Sequence, residues 1–267
     1  MNEQTASKLD IFFRALHDAP DALLLLDYDG TLAGFRVDRF KARPWAGVPA
    51  LLKQIQAQGR TRIAVITGRP PEEVPAMLRM EPQIEVWGLH GAERLYPDGR
   101  RELEVQAPAV QKVLEELRKQ LHRDALGGLF EDKPNAAVMH WRGRSQEQAR
   151  AIERRVRSLF EPLTRMDGLR LLDFDGGVEL RAGRDKGGAI EQIIGESAEG
   201  AAVTYLGDDL TDEAAFRAVN AAAGPHLSVL MRRKERATDA DVWLRPPAEL
   251  REFLGRWAEA RSACLGS

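Results

Sequence analysis

Short apolar runs alternate with amphipathic stretches along this chain. Residues 7–17 predict a helix ahead of the apolar run 22–27, whose four successive leucines (Leu23 to Leu26) suit a strand buried on both faces of a parallel sheet. A helix over 46–58 places Val48, Leu51, Leu52 and Ile55 on one face and stops at Gly59. The next strand, 61–66, ends at Thr67-Gly68-Arg69-Pro70-Pro71, where tandem prolines suit the first turn of a new helix. Further strands are expected over 84–89, running into His90-Gly91-Ala92-Glu93; over 202–206, ending at Gly207-Asp208-Asp209; and over 227–230. Strands alternating with helices predict an α/β fold, a doubly wound parallel sheet of Rossmann type.

Spacing divides the chain. Forty residues separate Asp27 from Thr67, and 22 separate Lys186 from Asp208, each room for one or two elements. From Thr67 to Lys186 there are 119, far more than a crossover needs, and an unstructured loop of that length is improbable in a compact domain. The excess predicts an inserted α+β cap over 97–182 within a core formed by 1–96 and 183–267. Helices over 108–122 and 145–160 and strands near 127–132, 136–142, 169–174 and 177–181 are expected inside it.

Composition removes several function classes. With 39 Lys+Arg against 41 Asp+Glu the net charge is −2, and the arginines are scattered, so there is no basic footprint for nucleic acid. No apolar run approaches the roughly 18 residues needed to span a bilayer, and the first 20 residues carry acids without a long apolar segment, unlike a signal peptide. A single cysteine, Cys264, allows no disulfide within one chain and fits a reducing, cytoplasmic setting.

The chemistry-bearing residues fall at the ends of the expected strands, where open α/β sheets bind ligands. Asp27 and Asp29 lie one residue apart after the leucine run, and two carboxylates there need a cation or proton to offset repulsion and desolvation. Thr67, Lys186 at a helix start, and the Asp208/Asp209/Asp212 group occupy equivalent ends. This set suits phosphoryl transfer, which must neutralise charge as well as supply a nucleophile. Asp27 is the candidate nucleophile and Asp29 the acid/base. Asp27, Asp29 (through its carbonyl), Asp208, Asp209 and Asp212 are candidate Mg²⁺ ligands, with Thr67 and Lys186 facing the phosphoryl oxygens. Singly, each has a structural reading: Thr67 and Asp208-Asp209 as helix caps, Lys186 as a solvated surface charge.

In this order the residues resemble the haloacid dehalogenase-like phosphatases: Asp27-Tyr28-Asp29-Gly30-Thr31, Thr67, Lys186 and Gly207-Asp208-Asp209. More narrowly the chain is similar to the trehalose-6-phosphate phosphatase family through Gly88-Leu89-His90-Gly91-Ala92-Glu93, Glu131-Asp132-Lys133, His140-Trp141-Arg142, Val178-Glu179-Leu180, Asp185-Lys186-Gly187 and the run Gly207 to Glu213, covering about 22–254. Two positions depart from the family: Thr67 for a usual Ser, and Trp141 for a usual Tyr.

The resemblance implies Mg²⁺-dependent hydrolysis of trehalose 6-phosphate and a small-molecule sugar phosphate as partner, with a functional link to a trehalose-6-phosphate synthase. It also implies a cap that reads the glucose rings. His90, Glu93, Glu131, Lys133, His140, Arg142 and Glu179 are its substrate-binding candidates, against the reading that each is a paired or solvated charge. Open alternatives are a phosphatase of the same fold acting on another small glycoside phosphate, a phosphomutase, and a non-catalytic synthase partner. Trp87 reads as structural, the basic run 232–236 as a solvated loop, and Thr238 as the cap of a following helix.

Overall fold

In the computed structural model, residues 3–36, 38–123, 126–133, 135–174 and 176–262 are described; Cys264 lies outside them. In chain order the elements are α1 (Glu3–Asp18), β1 (Ala22–Leu26), α2 (Val48–Ala57), β2 (Thr61–Ile66), α3 (Glu73–Leu78), β3 (Glu85–Gly88), β4 (Glu93–Leu95), β5 (Arg101–Leu103), α4 (Pro108–Arg123), β6 (Phe130–Lys133), β7 (Ala136–His140), α5 (Gln146–Phe160), β8 (Leu169–Phe174), β9 (Gly177–Ala182), α6 (Lys186–Gly195), β10 (Ala202–Gly207), α7 (Glu213–Asn220), β11 (His226–Met231), β12 (Val242–Leu244) and α8 (Ala248–Ser262). They form two compact units, residues 1–103 with 185–267, and 104–184.

The first unit is built on an eight-stranded sheet in the order β12-β11-β10-β1-β2-β3-β4-β5. Its first six strands run parallel, and β4 and β5 add an antiparallel hairpin at one edge. The leucines of β1 divide between the two faces. Leu24 and Leu26 join the core under α1, α2 and α8, whereas Leu23 and Leu25 pack with residues of α6 and α7. All four are buried, as a central strand covered on both sides requires. Leu26 is level with Val65 on one neighbour and Leu206 on the other. The residues that follow β1, β2 and β10 therefore emerge side by side at one edge of the sheet.

Differences from the sequence reading have local causes. Strands β4, β5 and β12 are three residues each, too short to show a period of two. Because β5 hydrogen-bonds to β4, residues 101–103 stay with the core sheet, and the second unit begins at Glu104, not 97, and ends at Arg184, not 182. Thr238 caps no helix: its hydroxyl binds Glu213 and accepts from the amide of Ala240, ahead of strand β12. Glu85 interrupts the apolar pattern of β3 because it is buried against Arg62, Arg94 and the Trp87 indole.

The second unit has an antiparallel sheet, β6-β7-β9-β8, with Ala137, Met139, Val178, Leu180 and Leu169 packed against α4 and α5. Helix α4 buries Val110, Leu114, Leu117 and Leu121, one stripe at helical spacing. Ser145 caps α5 in a reciprocal capping box with Gln148. No helix among the described residues is long and apolar enough to cross a membrane.

Leu24→Ala empties a fully buried position on the central strand, so unfolding by denaturant should show a loss of about 2–5 kcal/mol. Ile11→Ala on the exposed face of α1 should stay within about 0.5 kcal/mol. Similar losses at both positions would contradict this assignment of the core.

Candidate active site

Four segments meet at the carboxyl edge of the parallel strands. Asp27 follows β1, its amide donating to the Leu206 carbonyl at 2.8 Å, and its side chain is buried. Lys186 enters from the first residue of α6, whose N-cap, Asp185, accepts from the amide of Gly188. The Lys186 ammonium donates to Asp27 Oδ1 at 2.7 Å and Asp212 Oδ1 at 2.6 Å. Burial alone would lower the Lys186 pKa, but Asp212 and Asp27 outweigh it and hold the group firmly charged. Among the described residues nothing donates to Asp27 Oδ2.

Asp212 is fully engaged. Its Oδ1 also accepts from the Tyr205 hydroxyl at 2.5 Å, and its Oδ2 accepts from the amides of Asp208 and Asp209 at 2.9 Å each. Burial, reinforced by Asp212, raises the Tyr205 pKa, so the phenol remains a donor. Asp212 thus fixes the loop that carries Asp208 and the ammonium that faces Asp27.

Asp208 is buried, yet among the described residues its carboxylate takes no hydrogen bond or ion pair. Burial and the nearby Asp27 and Asp212 push its pKa up to about 9. Burial pushes Asp27 up to about 7 in spite of Lys186. One ligand oxygen from each of Asp27, Asp208 and Asp212 lies within 4.8 Å of the others. Three acids with one ammonium leave a deficit of positive charge, and an all-oxygen donor set suits a hard divalent cation. Gly30 is required beside them: it has φ +90°, and a Cβ there would lie 2.1 Å from Asp208 Oδ2.

Asp29 is treated differently. Arg69 binds it through Nε to Oδ2 at 2.6 Å and Nη2 to Oδ1 at 2.7 Å. Arg69 is buried, lies over the Tyr28 ring, and is held in turn by Glu73 at 3.3 Å. Thr67 sits at the end of β2, its hydroxyl accepting from the Arg69 amide at 3.2 Å with its proton left to donate.

Several sequence expectations need revision. Asp209 is exposed; it caps the short helix 210–212 by accepting from the Leu210 amide and lies outside the carboxylate cluster of Asp27, Asp208 and Asp212. Asp212 belongs to the cluster, but its oxygens are committed to Lys186, Tyr205 and two amides. The basic run 232–236 is not merely solvated: Arg232 donates to the Asp208 carbonyl at 3.2 Å, and Arg236 to the Asp209 carbonyl at 2.8 Å and to Glu213. Arg69, Tyr205 and these two arginines were absent from the sequence-derived set. For Arg69 the signal was its place two residues after Thr67 in the same strand-end turn.

His90 has a left-handed backbone, and its ring covers Gly68, leaving no room for a side chain there. Glu93 on β4 pairs with Arg101 on β5. In the second unit, register aligns Glu131, Val138, Glu179 and Leu172 across the sheet. Alternation then puts Lys133 and His140 on that same face, opposite the helices. Glu131 pairs with His140 at 2.8 Å. Glu179 is buried between Arg181 at 2.7 Å and Lys133 at 3.7 Å. Burial would raise the Glu179 pKa, but Arg181 and Lys133 hold it below the usual range. Arg142 follows β7 in an exposed turn.

The Trehalose-phosphatase family profile matches residues 25–246. The chain belongs to that family. The trehalose-phosphate phosphatase of Mycobacterium marinum (strain ATCC BAA-535 / M) is 34% identical over 257 residues, 91% of this chain and 63% of the relative. The chain therefore spans less than two thirds of the length of such mycobacterial relatives. Aspergillus fumigatus trehalose-6-phosphate phosphatase superposes with a TM-score of 0.72 at 25% identity, covering 95% of this chain and 97% of that one. The C-terminal domain of the C. albicans enzyme gives a TM-score of 0.74 at 19% identity, covering 94% and 96%, a likeness of fold. The trehalose-phosphatase resemblance read from the motifs and the α/β fold class read from alternating strands and helices are both borne out.

Asp27 and Asp208 have folded pKa values, about 7 and about 9, above the roughly 3.9 of an unfolded aspartate. The folded state then binds more protons, so their contribution to stability is present at low pH and lost as pH rises through 7 and 9. Without divalent ions, the melting temperature should fall between pH 6 and 9, where ordinary carboxylates stay ionised. A divalent cation competes with those protons, so millimolar Mg²⁺ should raise the melting temperature more at pH 9 than at pH 6. A Mg²⁺ effect that does not grow with pH would contradict a cation seat at these carboxylates.

Proposed function

We propose that this chain is a Mg²⁺-dependent phosphatase that hydrolyses trehalose 6-phosphate to trehalose and inorganic phosphate through an aspartyl-phosphate. The observation that carries this reading is the juxtaposition of Asp27 and Asp208: a carboxylate steered by Lys186 through Oδ1, beside a buried carboxylate that has no ion-pair partner among the described residues. Family membership supports the substrate class.

Asp27 Oδ2 forms a bond to phosphorus as the P–O bond to the sugar breaks. The departing sugar oxygen takes a proton from Asp29. Asp29, now ionised, removes a proton from water as that water attacks phosphorus, and cleavage of the bond to Oδ2 restores Asp27 and releases phosphate. Lys186 holds Asp27 in place and keeps positive charge beside the phosphoryl group. The Thr67 hydroxyl donates to a phosphoryl oxygen. Asp27, the Asp29 carbonyl and Asp208 would hold Mg²⁺, with Asp212 setting the loop. When bound, the cation would neutralise the carboxylate and the phosphate together.

Glu131, Lys133, His140 and Glu179, gathered on one face of the second unit's sheet, supply carboxylates and cations suited to sugar hydroxyls. His90, Glu93 and Arg142 complete the proposed substrate set. Glu179 enters it as a buried, already oriented carboxylate rather than as a solvated one.

Asp27→Asn should lower turnover by several orders of magnitude, since an amide is no nucleophile. More than a few per cent of residual phosphate release would exclude the covalent route. Lys133→Ala should lower kcat/KM for trehalose 6-phosphate by about ten- to a hundredfold, the worth of one charge-assisted hydrogen bond, and leave p-nitrophenyl phosphate turnover nearly unchanged. A panel of sugar phosphates decides the substrate; a clear preference for another glycoside phosphate would replace trehalose 6-phosphate in this reading.

A further inference from the structure

The reaction scheme above leaves the Asp29–Arg69 pair without a role. A planar guanidinium meeting a carboxylate through two parallel hydrogen bonds fixes the plane of that carboxylate as well as its position. Here both bonds are short, at 2.6 and 2.7 Å, and they take both Asp29 oxygens. The pair is asymmetric in exposure: the Arg69 side chain is 6% exposed, whereas that of Asp29 is 28% exposed. The guanidinium is thus the buried anchor and the carboxylate its accessible end.

Arg69 is itself over-determined. Glu73 pairs with it at 3.3 Å, Met77 Sδ lies at 3.7 Å, and the Tyr28 ring centroid is 5.2 Å away. Glu73 also pairs with Arg39 at 2.7 Å, so charges alternate along Arg39, Glu73, Arg69 and Asp29. The Tyr28 hydroxyl donates to the Ala42 carbonyl at 2.7 Å, which fixes the ring on which Arg69 rests. A side chain held on three sides costs desolvation and entropy that a single surface carboxylate would not repay. Its geometry makes sense where the aim of that carboxylate matters.

We propose that Arg69 is the positioning residue for the acid/base carboxylate of Asp29, and that Glu73 and Tyr28 hold it to that task. Arg69 acts through Asp29 and touches neither the phosphoryl group nor the sugar. This inference rests on the reading of Asp29 given above. Loss of the fork leaves the Asp29 side chain to rotate, which weakens proton delivery to the sugar oxygen and later proton removal from water. It leaves untouched the attack by Asp27 on a phosphate ester whose leaving group needs no proton.

Rapid-quench kinetics on the Mg²⁺-loaded full chain, with trehalose 6-phosphate and p-nitrophenyl phosphate, test this. Arg69→Gln should lower single-turnover cleavage of trehalose 6-phosphate by roughly a hundredfold or more, the usual share of acid/base catalysis. The nitrophenol burst should keep its rate within about threefold and be followed by slow steady-state turnover. Asp29→Asn should show the same split, and the double variant should be no slower than Asp29→Asn alone, as for residues acting as one unit. Arg69→Lys keeps the buried charge without the fork and should fall between; it carries the comparison if the Gln variant melts below the assay temperature. Glu73→Gln should show the same substrate split more weakly.

An Asp29→Asn variant that does not distinguish the two substrates removes the acid/base role of Asp29, and this inference with it. If Asp29→Asn distinguishes them but Arg69→Gln slows both equally, raises only KM, or adds to Asp29→Asn in the double variant, the inference alone is overturned, and Arg69 is a brace of the fold or a substrate ligand.

Discussion

Everything at the sheet edge depends on the ammonium of Lys186. It sits between Asp27 and Asp212 at 2.7 and 2.6 Å, itself buried, and among the described residues is the one cation with an ion pair to the Asp27, Asp208 and Asp212 carboxylates. An unpaired ammonium at that depth would shed its proton, and unpaired carboxylates would take one up. With Asp212 committed to Lys186, Tyr205 and two backbone amides, the third acid, Asp208, has no charge partner among the described residues. The site is built to remain one divalent charge short. In the function proposed above, that deficit suits a divalent cation bound together with an anionic ester, since like charges held so close are costly without compensation.

The fold delivers these charges with little local ingenuity. Three neighbouring parallel strands in register, β10, β1 and β2, end at the same level, so the residues after each one converge. The two faces of β1 belong to two different layers of helices, which leaves the strand no freedom to slip: a shift of one residue would exchange Leu23 and Leu25 with Leu24 and Leu26 between cores. The position of Asp27 is thus set by hydrophobic packing well below it. On the other side, α6 brings Lys186 in at its first residue. Gly187 lets α6 approach α7 so closely that a Cβ there would lie 2.7 Å from the Ala214 carbonyl. Chain order and sheet order together make a charged cluster from residues far apart in sequence.

The sequence made the architecture and the ends of the long strands legible, because four leucines or Thr61–Ile66 carry their own signal and the 119-residue gap demanded an inserted unit. It did not reveal which acid of Asp208, Asp209 and Asp212 faces inward. That depends on the single turn 210–212, which points Asp212 back at two amides and leaves Asp209 on the outside as a cap. Three-residue strands were invisible for lack of a period, and the domain boundary moved with β5. Arg181 was missed although it stands two residues from Glu179, where strand alternation puts both on one face. Arg232 and Arg236 could not be read at all, since a basic run looks the same whether it meets water or backbone carbonyls.

In the roles proposed above, the two acids of the Asp27-Tyr28-Asp29 segment would let one short segment support two chemistries. Asp27 is buried and faces an ammonium, a compact point charge that steadies one oxygen and leaves the other open to form a bond. Asp29 is part-exposed and faces a guanidinium, a planar fork that fixes both oxygens and the plane they lie in. A nucleophile needs an available lone pair at a fixed distance, whereas a proton donor and acceptor needs direction. Exchanging the partners would change each constraint: a fork would engage both Asp27 oxygens, and an ammonium would let Asp29 swivel. Tyr28 lies between them in the chain, and its buried ring supports Arg69. The residue between the two acids is therefore part of the arrangement, since its ring, fixed by the bond from its hydroxyl to the Ala42 carbonyl, is the surface on which Arg69 rests.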